Sequence, residues 1–178
     1  ETGAGPSRNI GVLFAGNEYI SFLDADDEFL EGRKEYYESI LKDNVNKCWC
    51  SDYKTSSERI VKSSTKKNLA EYLSNTNIGL STITVRKEMF INYGIWFPAV
   101  KTRQDTRWLI ALLKAGFNIK SISSVTTLYR IHEAQISKSK LMMSLNVFIL
   151  YLSEVGYSWS VVKYFIKYSW NALRKHFL

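Results

Sequence analysis

The sequence predicts an α/β domain followed by a C-terminal helical extension. Segments with helical and strand-like spacing alternate along residues 5–129, at lengths typical of a sheet flanked by helices. The apolar run Tyr19-Ile-Ser-Phe-Leu23 has the character of a buried strand. From about Leu141 the pattern changes to continuous helix. We therefore expect a core over residues 1–140 and a helical tail over residues 141–178.

Each element follows from apolar spacing and from the residues that interrupt it. Ser7 is expected to cap a short helix that ends at Gly16-Asn17, and the strand to Leu23 follows. The same spacing then predicts, in order, a helix over 29–44, a strand over 48–53, a polar loop or hairpin over 56–67 and a helical turn over 69–73. The remaining predicted elements are a strand ending at Val85, helices over 86–93 and 106–115, and strands over 117–121 and 125–129.

Three carboxylates, Asp24, Asp26 and Asp27, directly follow the first apolar strand. Asp24 and Asp26 point the same way if the chain stays extended. Two carboxylates about 6 Å apart repel by about 3 kcal/mol at an effective dielectric of about 20. A divalent cation, a neighbouring Arg or Lys, or raised pKa values relieve such repulsion. The pattern favours the cation, with a solvated loop as the alternative.

Positive charge is concentrated near the end of the chain. The formal charge is +7, and no Asp or Glu follows Glu154, whereas Lys163, Lys167, Arg174 and Lys175 do. A helical wheel places these residues on one apolar face: Val162, Phe165, Ile166, Ser169, Trp170, Leu173 and Phe177. This layout predicts a helix at a membrane surface, and a helix packed on the domain is the alternative. Nucleic acid is not an expected partner, because the aromatic residues lie on the apolar face rather than among the basic ones.

Cysteine usage and hydropathy indicate the compartment. Cys48 and Cys50 have neither a second Cys pair nor a nearby His, which predicts reduced thiols in a strand of a cytoplasmic protein. No run of 18 apolar residues is free of charge, so no membrane-spanning helix is predicted. The N-terminus lacks Met, a basic region and an apolar region; we expect no signal peptide there and a chain taken from a longer protein.

Four segments in order resemble the signature of bacterial family 2 glycosyltransferases, which have the GT-A fold. They are Gly5–Gly11 with Gly16–Asp27, Gly79-Leu-Ser-Thr82 with Val85-Arg-Lys87, Arg103-Gln-Asp-Thr106, and Tyr129-Arg-Ile-His-Glu-Ala-Gln-Ile-Ser137. The resemblance covers about residues 5–139 and implies a Rossmann-like mixed sheet flanked by helices. The strands with which the family opens do not precede Gly5, so we expect a domain that is incomplete at its N-terminus.

The resemblance also implies roles for individual residues. Asp105 matches the catalytic base of inverting members, and Gln104 stands where the family usually has Glu. The matching nucleotide-sugar ligands are Arg8, Asp24, Asp26 and Gly79. The matching ligands of Mn²⁺ or Mg²⁺ are Asp26, Asp24 and His132.

These roles imply a metal-dependent, inverting glycosyltransferase. It would move a sugar from a nucleotide-sugar, with UDP as the nucleotide, to a hydroxyl of a saccharide or lipid-linked acceptor in bacterial surface polysaccharide or lipooligosaccharide synthesis. We expect it in the cytoplasm, at the inner face of the membrane. The alternative is an inactive GT-A-like peripheral membrane or scaffold module, which Gln104 favours. A haloacid-dehalogenase-type phosphatase is disfavoured, because no Asp follows Asp105 to complete its site.

Overall fold

The computed structural model describes residues 3–131 and 140–177, with side chains at 3–131 and 144–170. The described chain forms two compact units. The first contains the residues up to Asn68 together with Asn77–Arg130, and the second contains Leu69–Thr76 together with the C-terminal helices. The division into a core over residues 1–140 and a tail over 141–178 stays a prediction.

The first unit is built on a mixed sheet, as the sequence predicts. Its strands are β1 (Tyr19–Ser21), β2 (Glu28–Phe29), β3 (Cys48–Thr55), β4 (Ile60–Val61), β5 (Thr84–Arg86) and β6 (Ile119–Tyr129). Their order is β1-β5-β3-β6-β2, with β4 paired to β3. Only β3 and β6 run parallel among these described strands, and the other pairs are antiparallel. Because β3 lies at the centre, its residues 48–52 are all buried.

The two short strands predicted over 117–121 and 125–129 are in fact one strand, β6. Ser123 and Ser124 lie between the pairs Ser51–Ile122 and Asp52–Val125, and the strand resumes its pairing with β3 beyond them. The pairing absorbs the interruption through register shifts on either side of Asp52. The prediction of a break was wrong because it followed side-chain character, whereas the backbone pairing persists.

The helices are α1 (Ala4–Phe14), α2 (Arg33–Leu41), α3 (Leu69–Ser74), α4 (Glu88–Ile91), α5 (Gln104–Lys114), α6 (Lys140–Val155) and α7 (Trp159–Phe177), with a 3₁₀ turn at Leu80–Thr82. Ser7 does not cap α1; it lies inside the helix and its hydroxyl donates to the Gly3 carbonyl at 2.9 Å. The continuous helix predicted from Leu141 is also wrong. Gly156, at φ +83°, ends α6 in the left-handed conformation and separates it from α7.

The cysteines are core residues of β3. Cys48 and Cys50 are buried free thiols, as predicted. Burial is the largest influence on both and raises the pKa of Cys50 to about 12. The thiolate is therefore disfavoured at neutral pH, and these side chains serve packing rather than chemistry.

The second unit consists of α3, α6 and α7. The Tyr151 hydroxyl of α6 donates to the Leu73 carbonyl of α3 at 2.9 Å. Phe148 of α6 meets Phe165 of α7 edge to face, with ring centroids 5.0 Å apart. Among the described helices, none has both the length and the apolar character needed to cross a membrane.

Candidate active site

The acidic turn, Asp24–Asp27, connects β1 to β2. The Asp27 N–H donates to the Asp24 carbonyl at 3.0 Å and closes the turn. Arg8 of α1 donates from Nη2 to Asp24 Oδ1 at 2.6 Å, and both side chains are partly buried. Asp26 is exposed. A guanidinium thus relieves part of the charge repulsion that the sequence predicts for this turn.

The Ser81 hydroxyl holds the acidic turn at two points. It accepts the Asp24 N–H at 3.1 Å and donates to Asp27 Oδ2 at 2.5 Å. The Arg130 N–H donates to the other oxygen of Asp27 at 3.3 Å. Burial raises the pKa of Asp27 above its usual value, Asp24 and Asp26 raise it further, and the two hydrogen bonds oppose the shift. Ser81 therefore stabilises the charged form of a carboxylate that its surroundings destabilise.

The backbone carbonyl of Ser81 accepts two side-chain hydrogen bonds. Arg33 Nη1 and the Thr127 hydroxyl both donate to the Ser81 carbonyl, each at 3.0 Å. Arg33 is buried, with its guanidinium carbon 3.8 Å from the centre of the Phe29 ring. The sequence reasoning missed Ser81 and Arg33. The only sequence signal was the position of Ser81 inside the segment Gly79–Thr82.

Helix α1 is docked so that Arg8 reaches the acidic turn. The Asn9 side chain bonds the backbone of Phe97 twice, donating to its carbonyl at 2.9 Å and accepting its N–H at 3.0 Å. Gly5 permits the close approach of the helix, because a Cβ there would lie 2.6 Å from the Pro98 carbonyl oxygen and 3.4 Å from Gln104 Cβ. Asn9 is therefore a docking residue, and Gly5 lies beside Gln104 at the end of α5 that carries Asp105.

An aromatic cluster lies behind these elements. Phe22 leads into the acidic turn, Phe97 is held by Asn9, and Trp108 belongs to α5. The centroid of the Phe97 ring is 5.2 Å from that of Phe22 and 4.6 Å from that of Trp108. Trp108 is fully buried, and its indole N–H donates to the Ile95 carbonyl at 3.0 Å. The cluster fixes α1, the acidic turn and α5 relative to one another.

Asp105 lies in the first turn of α5, where the helix dipole favours a negative charge. The Tyr129 phenol at the end of β6 responds to the charges around it. Its pKa is raised first by burial and then by four carboxylates, in the order Asp27, Asp26, Asp24 and Asp105. Asp105 and the three carboxylates of the acidic turn thus shift the pKa of the same phenol in one direction.

Two predicted residues contribute less to this geometry. Gly79 has φ −87°, and a Cβ there would make ordinary contacts of 3.8 to 3.9 Å, so nothing in its surroundings requires glycine. His132 lies outside the described residues. Within residues 3–131 and 144–170, no three His, Cys, Asp or Glu side chains form a group that could hold a metal ion.

The shared hydroxyl of Ser81 gives a first test of the site. We expect Ser81→Ala to lower the free energy of unfolding at pH 7 by about 1.5–3 kcal/mol, because a hydrogen bond to a charged group contributes about that much. The loss should be smaller at about pH 4, since protonated Asp27 needs the donor less. Chemical denaturation at the two pH values measures the effect.

Ser51→Ala is the matched control for that variant. Ser51 is equally buried but bonds Thr126 at 2.5 Å rather than a carboxylate of the turn. A loss of stability in Ser51→Ala that depends on pH in the same way would show that Ser81 does not act through the acidic turn.

Known proteins resemble this chain in sequence. No family model matches it. It is 24% identical to Bacillus subtilis TuaG, whose name assigns it to teichuronic acid biosynthesis as a glycosyltransferase, over 98% of this chain and 71% of TuaG. It is 26% identical to WfaP of Escherichia coli, named a UDP-Glc:alpha-D-GlcNAc-diphosphoundecaprenol beta-1,3-glucosyltransferase, over 78% of this chain and 55% of WfaP.

The fold also has solved counterparts. The crystal structure of S. aureus TarS 1-349 in complex with UDP-GlcNAc matches 85% of this chain with a TM-score of 0.62 and 16% identity. The chain spans about half the length of that protein (47%). The resemblance to glycosyltransferases drawn from the motifs is thus confirmed, and the chain is a glycosyltransferase-like protein with the GT-A fold.

Proposed function

We propose that this chain carries the catalytic machinery of an inverting, metal-dependent glycosyltransferase. The donor is a UDP-sugar, and the acceptor is a hydroxyl of a saccharide or lipid-linked saccharide in bacterial surface polysaccharide or lipooligosaccharide synthesis. The proposal places the protein in the cytoplasm, at the inner face of the membrane, where a lipid-linked acceptor would be presented.

The arrangement of Arg8 carries the proposal. Its Nη2 binds Asp24, while Nη1 is buried and has no hydrogen-bond acceptor among the described residues. A buried donor without an acceptor is costly, and guanidinium groups bind phosphate oxygens in paired hydrogen bonds. A donor diphosphate beside the acidic turn would supply the missing acceptor.

The relatives support the choice of substrates. WfaP is named for a UDP-Glc donor and a diphosphoundecaprenol-linked acceptor, and TarS was crystallised with UDP-GlcNAc. These substrates belong to those proteins. For this chain they favour a UDP-linked donor and a lipid-linked acceptor, and they leave the transferred sugar open.

The acidic turn fits Mn²⁺ or Mg²⁺ bound together with a diphosphate. Asp24 is partly neutralised by Arg8 and Asp27 is engaged by Ser81, whereas Asp26 is exposed. Mg²⁺ sites commonly use one or two carboxylates plus substrate phosphates. Asp26 would be the principal ligand and Asp24 a second one, and His132 stays a prediction. When bound, the ion would offset the negative charge of the leaving diphosphate.

In the proposed reaction, Asp105 acts on the acceptor and Arg8 on the diphosphate of the donor. Asp105 takes the proton of the acceptor hydroxyl, whose oxygen forms a bond to the anomeric carbon. The bond from that carbon to the diphosphate breaks, and the diphosphate leaves with the electron pair. Arg8 donates charge-assisted hydrogen bonds to the oxygens of the leaving diphosphate. Attack from the face opposite the leaving group inverts the configuration at that carbon.

Titration calorimetry of UDP on the natural protein that contains this sequence tests the proposal. We expect Mn²⁺ to strengthen UDP binding by about tenfold or more, equivalent to about 1.4 kcal/mol. Identical binding with and without Mn²⁺ would remove the metal from the proposal. UDP binding without transfer from any UDP-sugar would favour the inactive module, for which Gln104 is the supporting observation.

A further inference from the structure

Helix α7 presents an apolar stripe that the described chain leaves exposed. It consists of four side chains with the following exposed fractions: Trp159 82%, Val162 37%, Ile166 62% and Trp170 62%. Steps of three and four residues place them along one helical face. We call this set the α7 stripe. An exposed row of this kind with a tryptophan at each end marks a contact surface.

The α7 stripe is distinct from the face with which α7 packs in its own unit. Val161 is buried, Phe165 contacts Phe148, and Tyr168 lies with its ring centroid 6.4 Å from that of Tyr151. The helical wheel had placed Phe165 on the same outward face as Ile166. The structure corrects this, because Phe165 packs against α6 and the exposed face is centred on Val162 and Ile166.

Positive charge accompanies the α7 stripe. Lys163 and Lys167 are exposed and follow Val162 and Ile166 by one residue each. No Asp or Glu occurs after Glu154 to balance them. Lysines beside an exposed apolar face complement a surface that combines acyl chains with phosphate groups.

An open groove adjoins the N-terminal end of the α7 stripe. Its volume is about 530 Å³, and its lining includes Leu152, Tyr157, Trp159 and Val162. Tyr157 is 96% exposed. Tyr and Trp side chains are favoured at the headgroup level of bilayers, where one end of the ring system is apolar and the other is hydrated.

We propose that the α7 stripe lies in the interface of an anionic phospholipid bilayer, with Trp159 and Trp170 as anchors and Lys163 and Lys167 on lipid phosphates. The purpose of this contact rests on the proposed function, since a lipid-linked acceptor would be presented there. A second copy of the chain is the poorer occupant. Two-fold pairing through the stripe would bring the lysines of both copies together without any nearby acid on α7.

Vesicle flotation with the natural protein that contains this sequence tests the proposal. The vesicles are phosphatidylcholine alone or with about 30% phosphatidylglycerol, a composition chosen to supply negative surface charge. We expect binding to the anionic vesicles that weakens between low and high salt. Trp159→Ser with Ile166→Ser should reduce it by about tenfold or more, and Lys163→Glu with Lys167→Glu should abolish the preference for phosphatidylglycerol.

Phe14→Ser is the matched control, because Phe14 is 86% exposed on α1 in the other unit. It should leave vesicle binding unchanged. Binding that is absent at low salt, or equal in the stripe variant and the parent, overturns the proposal. The proposal is also overturned if the parent protein forms a dimer and the stripe variant does not. Vesicle binding without sugar transfer would refute the proposed function alone, whereas transfer without vesicle binding would refute only the membrane contact.

Discussion

Asp105→Asn is expected to reduce sugar transfer by about 10²- to 10⁴-fold, the contribution typical of a positioned general base. The amide keeps the shape of the side chain but cannot take the proton of the acceptor hydroxyl. Because Asp105 lies on α5 and Arg8 on α1, UDP affinity should change by no more than about twofold. Steady-state transfer rates and UDP calorimetry on the same preparation measure both quantities.

The matched control for Asp105→Asn is Glu35→Gln. Glu35 is an exposed acid in the first turn of α2, so its replacement removes the same kind of charge from a helix N-terminus. Its transfer rate should equal that of the parent. An Asp105→Asn protein that still transferred sugar at the parent rate would exclude Asp105 from the mechanism.

Asp26→Ala is expected to abolish the effect of Mn²⁺ on UDP binding. Asp26 is the exposed carboxylate of the acidic turn, so its removal should cost little stability. Affinity measured with Mn²⁺ should fall to the value measured without it, a loss of about tenfold or more. Calorimetry with and without the ion, and the thermal midpoint, provide the measurements.

Glu28→Ala is the comparison for that variant. Glu28 follows Asp26 by two residues and pairs with Arg130 at 2.9 Å, with both side chains more than half exposed. Removing this surface ion pair should leave the Mn²⁺ effect intact. A retained Mn²⁺ effect in Asp26→Ala would place the cation elsewhere or remove it from the proposal.

Much of the fold was predictable because local patterns determine it. Apolar spacing predicts the strand before Asp24 and the helix over Gln104–Lys114. Gly116 ends that helix because glycine readily adopts the left-handed φ of +85° found there. The failures have local causes too. The sequence predicted two strands where the register of β6 shifts, and the wheel could not tell which side of α7 would meet α6.

The site was predictable only in part. The carboxylates could be found in the sequence because three of them directly follow an apolar strand, and Arg8 because it lies in a segment that resembles the family signature. Their connections could not. Ser81 lies 54 residues from its partner Asp27, and the Arg33 donor lies 48 residues from the carbonyl it binds. Contacts of such separation depend on sheet order, which spacing along the chain does not reveal.

The aromatic cluster joins α1, the acidic turn and α5, so under the proposed function it would couple the preference for the donor to the preference for the acceptor. Trimming Trp108 would move α5 and, through Phe97, the docking point of Asn9 on α1. A laboratory selection for a different nucleotide-sugar that acts through the core would therefore also change the rate with the old acceptor. Altering one preference alone would require substitutions of exposed residues, whose side chains can change without shifting a neighbouring helix.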